Sequence, residues 1–249
     1  MNLNKYILTK NNCYKVAGKI TVKGIMVHST GANNPYLKRY IPDDGKLGAN
    51  PNNNHWNTPL PGGRQVCVHA FIGKLADGSV ATYQTLPWNY RGWHAGGTAN
   101  NTHIGFEICE DGLNDRKYFD AVYNEAVELC AYLCKEYNLS ERDIICHSDG
   151  AKKGIASNHG DVMHWFPKYE KSMDTFRADV KKLLDTSVSE MKATTQELES
   201  GNDIVWELMH GKNKIEISEP ERAVKALDEA RTDAKYMSLY WIIKKLVNK

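Results

Sequence analysis

A chain of 249 residues, 41% hydrophobic and 25% charged, has the composition of an ordinary globular protein with room for one large domain and a small appendage. Its formal net charge of +2 gives no basis for a nucleic-acid partner, and no apolar run is long enough to span a bilayer. The first residues, Met1-Asn2-Leu3-Asn4-Lys5-Tyr6, lack a charged-then-apolar secretory pattern. The expectation is therefore synthesis in the cytoplasm, with the six cysteines (13, 67, 109, 130, 134 and 146) as reduced thiols.

In chain order, residues 1–27 read as strand-rich, with turns at Lys10-Asn11-Asn12 and Ala17-Gly18. The apolar run Ile20, Val22, Ile25, Val27 delivers His28 and breaks at Ser29-Thr30-Gly31, so this histidine stands at the exit of a buried strand. A ligand can be held rigidly at such a place, although an isolated histidine there is more often a satisfied core residue. From Gly31 to Arg64 the chain is rich in Asn, Pro and Gly, a long irregular cover in which His55-Trp56 reads as a loop anchor or a substrate contact.

Val66 to Ile72 alternates like a strand, Ala76-Asp77-Gly78-Ser79 reads as a hairpin turn, and Val80 to Leu86 returns. An aromatic, glycine-rich loop follows, with Trp88, Tyr90 and Trp93-His94-Ala95-Gly96-Gly97. Ile104 to Cys109 is an apolar strand with one carboxylate, Glu107, in its middle, a costly placement unless the group is paired or used. Residues 119–137 carry Phe119, Val122, Tyr123, Ala126, Leu129, Cys130, Leu133 and Tyr137 on one helical stripe; Cys130 and Cys134 read as packing residues. Asp143 to His147 is a short strand ending on a second histidine, and Tyr169 to Leu184 reads as a closing helix.

Strands interleaved with helices predict an α/β domain with a mixed central sheet flanked by helices, over residues 1–184. A polar stretch, Ser187 to Gly201, leads into helical patterns with apolar faces at Val224, Leu227, Ala234, Tyr236, Leu239, Tyr240, Ile243 and Leu246. Residues 185–249 are thus expected to form a small all-α bundle, with wall binding, homo-oligomerisation or packing as candidate roles.

His28 and His147 end two separate strands, and Ser157-Asn158-His159-Gly160-Asp161-Val162-Met163-His164 follows. Two histidines and an aspartate would supply the three protein ligands of a catalytic zinc ion with one position open, and Glu107 on a neighbouring strand is a candidate general base. His69 and Asp149 have structural readings at least as good as functional ones.

These residues lie in ordered blocks over most of 20–166: Gly24 to Thr30, Val68-His69-Ala70-Phe71-Ile72, Asp77 to Val80, Tyr83-Gln84, Trp93 to Gly97, Ile104-Gly105-Phe106-Glu107 and Cys146-His147-Ser148-Asp149. In them the chain resembles the zinc-dependent N-acetylmuramoyl-L-alanine amidases of the type-2 amidase and peptidoglycan-recognition-protein fold, found in phage endolysins and bacterial autolysins. The resemblance implies zinc ligands at His28, His147 and Asp161, with His159 or His164 as alternatives to Asp161 because the gap after His147 is longer than usual and the family's Pro-Gly is missing. It implies Glu107 as the catalytic carboxylate, His159, Lys152 or Lys153 as the polar helper, and His94, Trp93 and Tyr83 as a groove for sugar and peptide. The implied activity is hydrolysis of the amide between N-acetylmuramic acid and L-alanine of bacterial peptidoglycan, by an enzyme acting on the wall after release from the cell. The rival readings are a non-catalytic peptidoglycan-binding protein of the same fold and a zinc peptidase acting within the stem peptide.

Overall fold

The computed structural model describes the backbone of residues 1–199, 205–208 and 213–216, and side-chain surroundings through residue 186. In chain order the elements are β1 (Leu3–Lys5), α1 (Asn12–Val16), β2 (Gly24–Ser29), β3 (Ala70–Lys74), β4 (Val80–Gln84), β5 (His103–Ile108), α2 (Arg116–Tyr137), β6 (Ile144–Cys146), α3 (His147–Lys152), α4 (Met173–Glu199), β7 (Val205–Leu208) and β8 (Asn213–Glu216). Residues 1–182 make one compact unit and 183–249 a second.

The first unit is built on a six-stranded sheet in the order β1-β4-β3-β5-β2-β6. Only the β3–β4 hairpin is antiparallel, so the sheet is mixed. All six residues of β2 are buried, which explains its unbroken apolar run: a parallel strand with neighbours on both sides and cover on both faces has no polar edge to show. The 31–64 segment packs on one face of the sheet at β3 and β4, where its Leu37, Tyr40, Ile41 and Leu47 join Val68, Phe71 and Tyr83 in one apolar cluster. Tyr40 stacks on Phe71, and Trp56 meets both rings edge-on.

Helix α2 begins at Arg116, three residues ahead of the expected start, because the Asp115 carboxylate accepts the Tyr118 N–H and caps the first turn. It ends where Asn138 takes a left-handed conformation. The closing helix starts at Met173 rather than Tyr169: residues 166–169 form a separate 3-10 turn ended by left-handed Glu170, and Ser172 and Thr175 then cap α4 reciprocally. That helix runs on through Glu199, where the sequence suggested a polar connection. In the second unit β7 and β8 pair antiparallel, so the described part of residues 185–249 is not all-α as expected: pairs such as Val205 with Glu216 and Trp206 with Ile215 form a short hairpin. The apolar faces of residues 218–249, and the oligomerisation role resting on them, lie outside the described residues. Among the described residues no helix is long and apolar enough to cross a membrane, and all six cysteines are free and buried.

His69 is a structural residue. It is fully buried just ahead of β3, its Nε2 lies 2.8 Å from the Tyr90 carbonyl oxygen, and its Nδ1 accepts the Gly105 N–H at 3.0 Å. A carbonyl only accepts, so the proton is on Nε2. Burial pulls its pKa down to about 4, against smaller opposing effects of the two backbone bonds. The unfolded chain, titrating near 6.5, takes up this proton first as pH falls. Stability from neutral His69 is therefore complete above about pH 6.5 and lost progressively towards pH 4, by ~3 kcal/mol in total. Imidazole nitrogen NMR is expected to find His69 as the Nε2–H tautomer at pH 6, protonating only near pH 4; a midpoint near 6.5 would contradict this burial.

Candidate active site

The sheet brings residues distant in sequence to one rim. β2 and β5 run parallel with His28 opposite Glu107, and β3 places Phe71 opposite Glu107 on the other side. Directly paired residues project from the same face of a sheet, so His28 and Glu107 are neighbours. His147 follows β6 and is the first residue of α3, not the last of the strand. Asp149 caps that helix by accepting the Cys146 N–H at 3.3 Å and pairs with Arg177; it orients the turn rather than the histidine ring. Asp161 opens a 3-10 turn with φ +42°, a conformation rare for residues other than glycine that turns its carboxylate back towards the strand ends.

These placements converge. Asp161 Oδ2 lies 3.2 Å from His28 Nδ1 and 2.9 Å from His147 Nδ1, and one ligand atom from each residue falls within 4.8 Å of the others. Both histidines are almost fully buried. His147 Nε2 lies 3.1 Å from the Ala95 carbonyl oxygen and 3.1 Å from Ser157 Oγ, so the Ala95 carbonyl can accept its N–H and leave Nδ1 free to coordinate. Burial lowers the His28 pKa, more than the Asp161 hydrogen bond and charge raise it, which favours the neutral ring. For Asp161 burial acts upward, but hydrogen bonds and charge from His147 and His28 outweigh it and hold the carboxyl below the usual range. Two imidazole nitrogens and a carboxylate aimed at one point fit a divalent cation of the zinc class.

Glu107 is half-buried beside this group, and its Oε2 is shut off from solvent with no hydrogen-bond partner. Burial, then the negative charges of Asp161 and Glu110, push its pKa well above the ordinary carboxylate value. His28, His147, Asp161, Glu107, His159 and Trp93 all line one cleft of about 600 Å³. The exposed His159 ring packs on His147, with centroids 4.7 Å apart. Trp93 is 39% exposed, with the Arg91 guanidinium over its ring at 4.5 Å.

Of the three residues weighed for the third ligand position, Asp161 is the one within reach of both histidines; the His164 Nε2 is turned to Glu110 Oε2 at 3.1 Å. Two expected site residues lie elsewhere. Tyr83 is fully buried two strands from Glu107, with Phe71 between them, and its hydroxyl donates to Asp44 Oδ2 at 2.8 Å. Lys153 caps the far end of α3, about 9 Å along the helix from His147, and lines a separate cleft with Arg142, Lys152 and Arg177. His94 lines the cleft, but both its ring nitrogens face protein partners, His28 Nε2 at 3.0 Å and the His103 carbonyl oxygen at 3.2 Å, so neither is free for a substrate hydrogen bond.

Sequence reasoning passed over the residues that hold the 92–97 loop. Asn100 Oδ1 accepts the backbone N–H groups of His94 and Ala95. Gly105 leaves room for the His94 ring, which a Cβ there would meet at 2.4 Å, and Gly97 lets the loop pass close to the 155 backbone, where a Cβ would meet the Ile155 carbonyl oxygen at 2.4 Å. A glycine inside an apolar strand, as at 105, is a signal of such an approach.

Residues 18–162 match the family described as N-acetylmuramoyl-L-alanine amidase. The chain belongs to that family. It is 40% identical over 68 residues to the amidase XlyA of Bacillus subtilis (strain 168), covering 26% of this chain and 22% of XlyA. To the amidase CwlH of the same strain it is 37% identical over 75 residues, covering 28% of this chain and 29% of CwlH. The chain thus spans less than a third of either curated relative. Among solved structures, a mutant of PlyL aligns with TM-score 0.52 at 18% identity, covering 73% of this chain and 99% of that one. The catalytic domain of XlyA aligns with TM-score 0.50 at 23% identity, covering 72% and 99%. These likenesses show that the type-2 amidase fold is shared.

Gly105→Ala is expected to displace the His94 ring and destabilise the family domain by about 1–3 kcal/mol, as overpacking does. Urea unfolding measures it; stability equal to wild type would mean that the His94 ring is not held against β5.

Proposed function

We propose that this chain is a zinc-dependent hydrolase of bacterial peptidoglycan that cleaves the amide between the lactyl carbonyl of N-acetylmuramic acid and L-alanine. The observation that carries the reading is the meeting of His28, His147 and Asp161 beside Glu107, whose Oε2 is shut off from solvent and unpartnered, all four lining one cleft. Zinc would be held by Nδ1 of both histidines and by the Asp161 carboxylate, and when bound it supplies Lewis acidity to water and to the scissile carbonyl.

Glu107 is suited to the base role because its environment makes it a stronger base than an exposed carboxylate. It takes a proton from the attacking water as the water oxygen bonds to the carbonyl carbon. It then returns that proton to the departing alanine nitrogen as the C–N bond breaks, so the carboxylate ends as it began. His159, at the cleft rim against His147, can donate an N–H to the carbonyl oxygen while negative charge builds there. The flat exposed face of Trp93 offers apolar surface to sugar or peptide.

The setting we assign is a phage or prophage endolysin made in the cytoplasm and acting on the wall after release. Residues 1–184 are its catalytic domain, and residues 185–249 are an appended module for holding the wall.

Glu107→Ala is expected to retain zinc while kcat falls on the order of 10²- to 10⁴-fold. Mass spectrometry of digested peptidoglycan from the wild type is expected to find peptides with free N-terminal L-alanine. Cleavage within the stem peptide would replace the amidase by a peptidase. Binding without release, or full activity in the variant, would remove the assigned chemistry.

A further inference from the structure

Two of the six buried cysteines meet away from the candidate metal centre. Cys13, in α1, and Cys67, ahead of β3, belong to one small buried cluster with Leu8 and Leu86. Asn11, fully buried, locks the two backbones together. Its Oδ1 accepts the Cys13 N–H at 2.9 Å, and its Nδ2 donates at 3.0 Å to the carbonyl oxygen of Val66, the residue before Cys67. The two thiols interact directly, and that contact is the largest influence on each of them. Cys67 in turn pairs with Trp93, donating its N–H to the Trp93 carbonyl at 3.2 Å and accepting the Trp93 N–H at 2.9 Å.

From this meeting we infer that Cys13 and Cys67 are an oxidisable pair, closed by a small-molecule disulfide of the glutathione class into a bond that staples α1 to the strand partner of Trp93. The inference stands apart from the hydrolase reading and uses none of its chemistry. The two thiols have unequal parts. The hydrogen bond from Cys67 holds the Cys13 pKa below the ordinary thiol value, with help from the Arg91 charge and the Trp93 N–H, against the upward push of burial. The same contact, and then burial, push Cys67 well up. A thiolate is the attacking form, so Cys13 attacks and Cys67 resolves. Cys13 also sits in a helix of five residues, and so short an element opens locally at less cost than the sheet, which admits the oxidant.

The exchange balances in two steps. The Cys13 sulfur bonds to one sulfur of the oxidant, whose S–S bond breaks; the departing sulfur keeps the electron pair and takes up the proton that Cys13 gave. Cys67 then releases its proton and bonds to the Cys13 sulfur, expelling the remaining half as a second thiol. The protein loses two hydrogens, and one oxidant molecule becomes two thiols. Cys130 and Cys134, one turn apart on α2, lack this activation: burial pushes both thiols up and none of the charges near them acts the other way.

The test incubates the full chain, freed of reductant, with oxidised glutathione and maps it by mass spectrometry without reduction. Wild type is expected to lose the mass of two hydrogens and to yield one linked peptide pair holding Cys13 and Cys67. Cys67→Ser is expected to stop with one glutathione on Cys13, and Cys13→Ser to leave Cys67 unmodified. The linked form is expected to melt about 5–10 °C above the reduced form, a shift that dithiothreitol reverses. Folded wild type that keeps both thiols alkylatable, or links a different pair, would overturn the inference. Equal melting of the linked and reduced forms would overturn the staple, and glutathione on Cys67 in Cys13→Ser would overturn the order of attack.

Discussion

Two imidazole nitrogens each lie within hydrogen-bonding distance of one carboxylate oxygen, almost out of reach of water, with a further carboxyl alongside. Burying that much unshared electron density in one place is unfavourable unless protons or a cation stand among the groups. The depressed pKa of His28 and the raised pKa of Glu107 express the same tension from opposite sides: burial disfavours the imidazolium in one case and the carboxylate in the other. A divalent ion would relieve both, drawing lone pairs from the rings and Asp161 and returning Glu107 towards its ionised form.

The fold holds this arrangement on rigid parts. Parallel pairing of β2 with β5 fixes His28 beside Glu107, and pairing of β2 with β6 brings the start of α3, and with it His147, to the same rim. Asp161 opens a short 3-10 turn in a sparsely populated backbone conformation, and the far end of that turn is tied back through the bond between His164 and Glu110. Strained backbone of this kind persists where the surrounding contacts over-determine it. The 92–97 loop closes the arrangement from the other side and carries both the ring that contacts His28 and the carbonyl that contacts His147.

Much of this was readable before any coordinates. His28, Glu107 and His147 sit in or beside short apolar runs, and such runs are strands whose side chains are held firmly, so the residues that interrupt them stand out. The long stripe of α2 was equally plain, its start shifting only because Asp115 caps three residues early. Asp161 lies in a polar irregular stretch with no period, and only the family resemblance singled it out. Tyr83 and Lys153 were misplaced because pattern alone does not say which strands are neighbours or where a six-residue helix carries its last side chain. The partners of His94 depend on strand order and on a missing Cβ at Gly105, and neither can be read from local sequence.

The most direct test is a crystal structure of the zinc-loaded protein with diffraction recorded on both sides of the zinc absorption edge. The account predicts one anomalous peak about 2.0–2.2 Å from His28 Nδ1, His147 Nδ1 and an Asp161 carboxylate oxygen, with Glu107 beside the remaining open position. A peak held through His159 or His164 in place of Asp161, or no peak between His28 and His147, would contradict it.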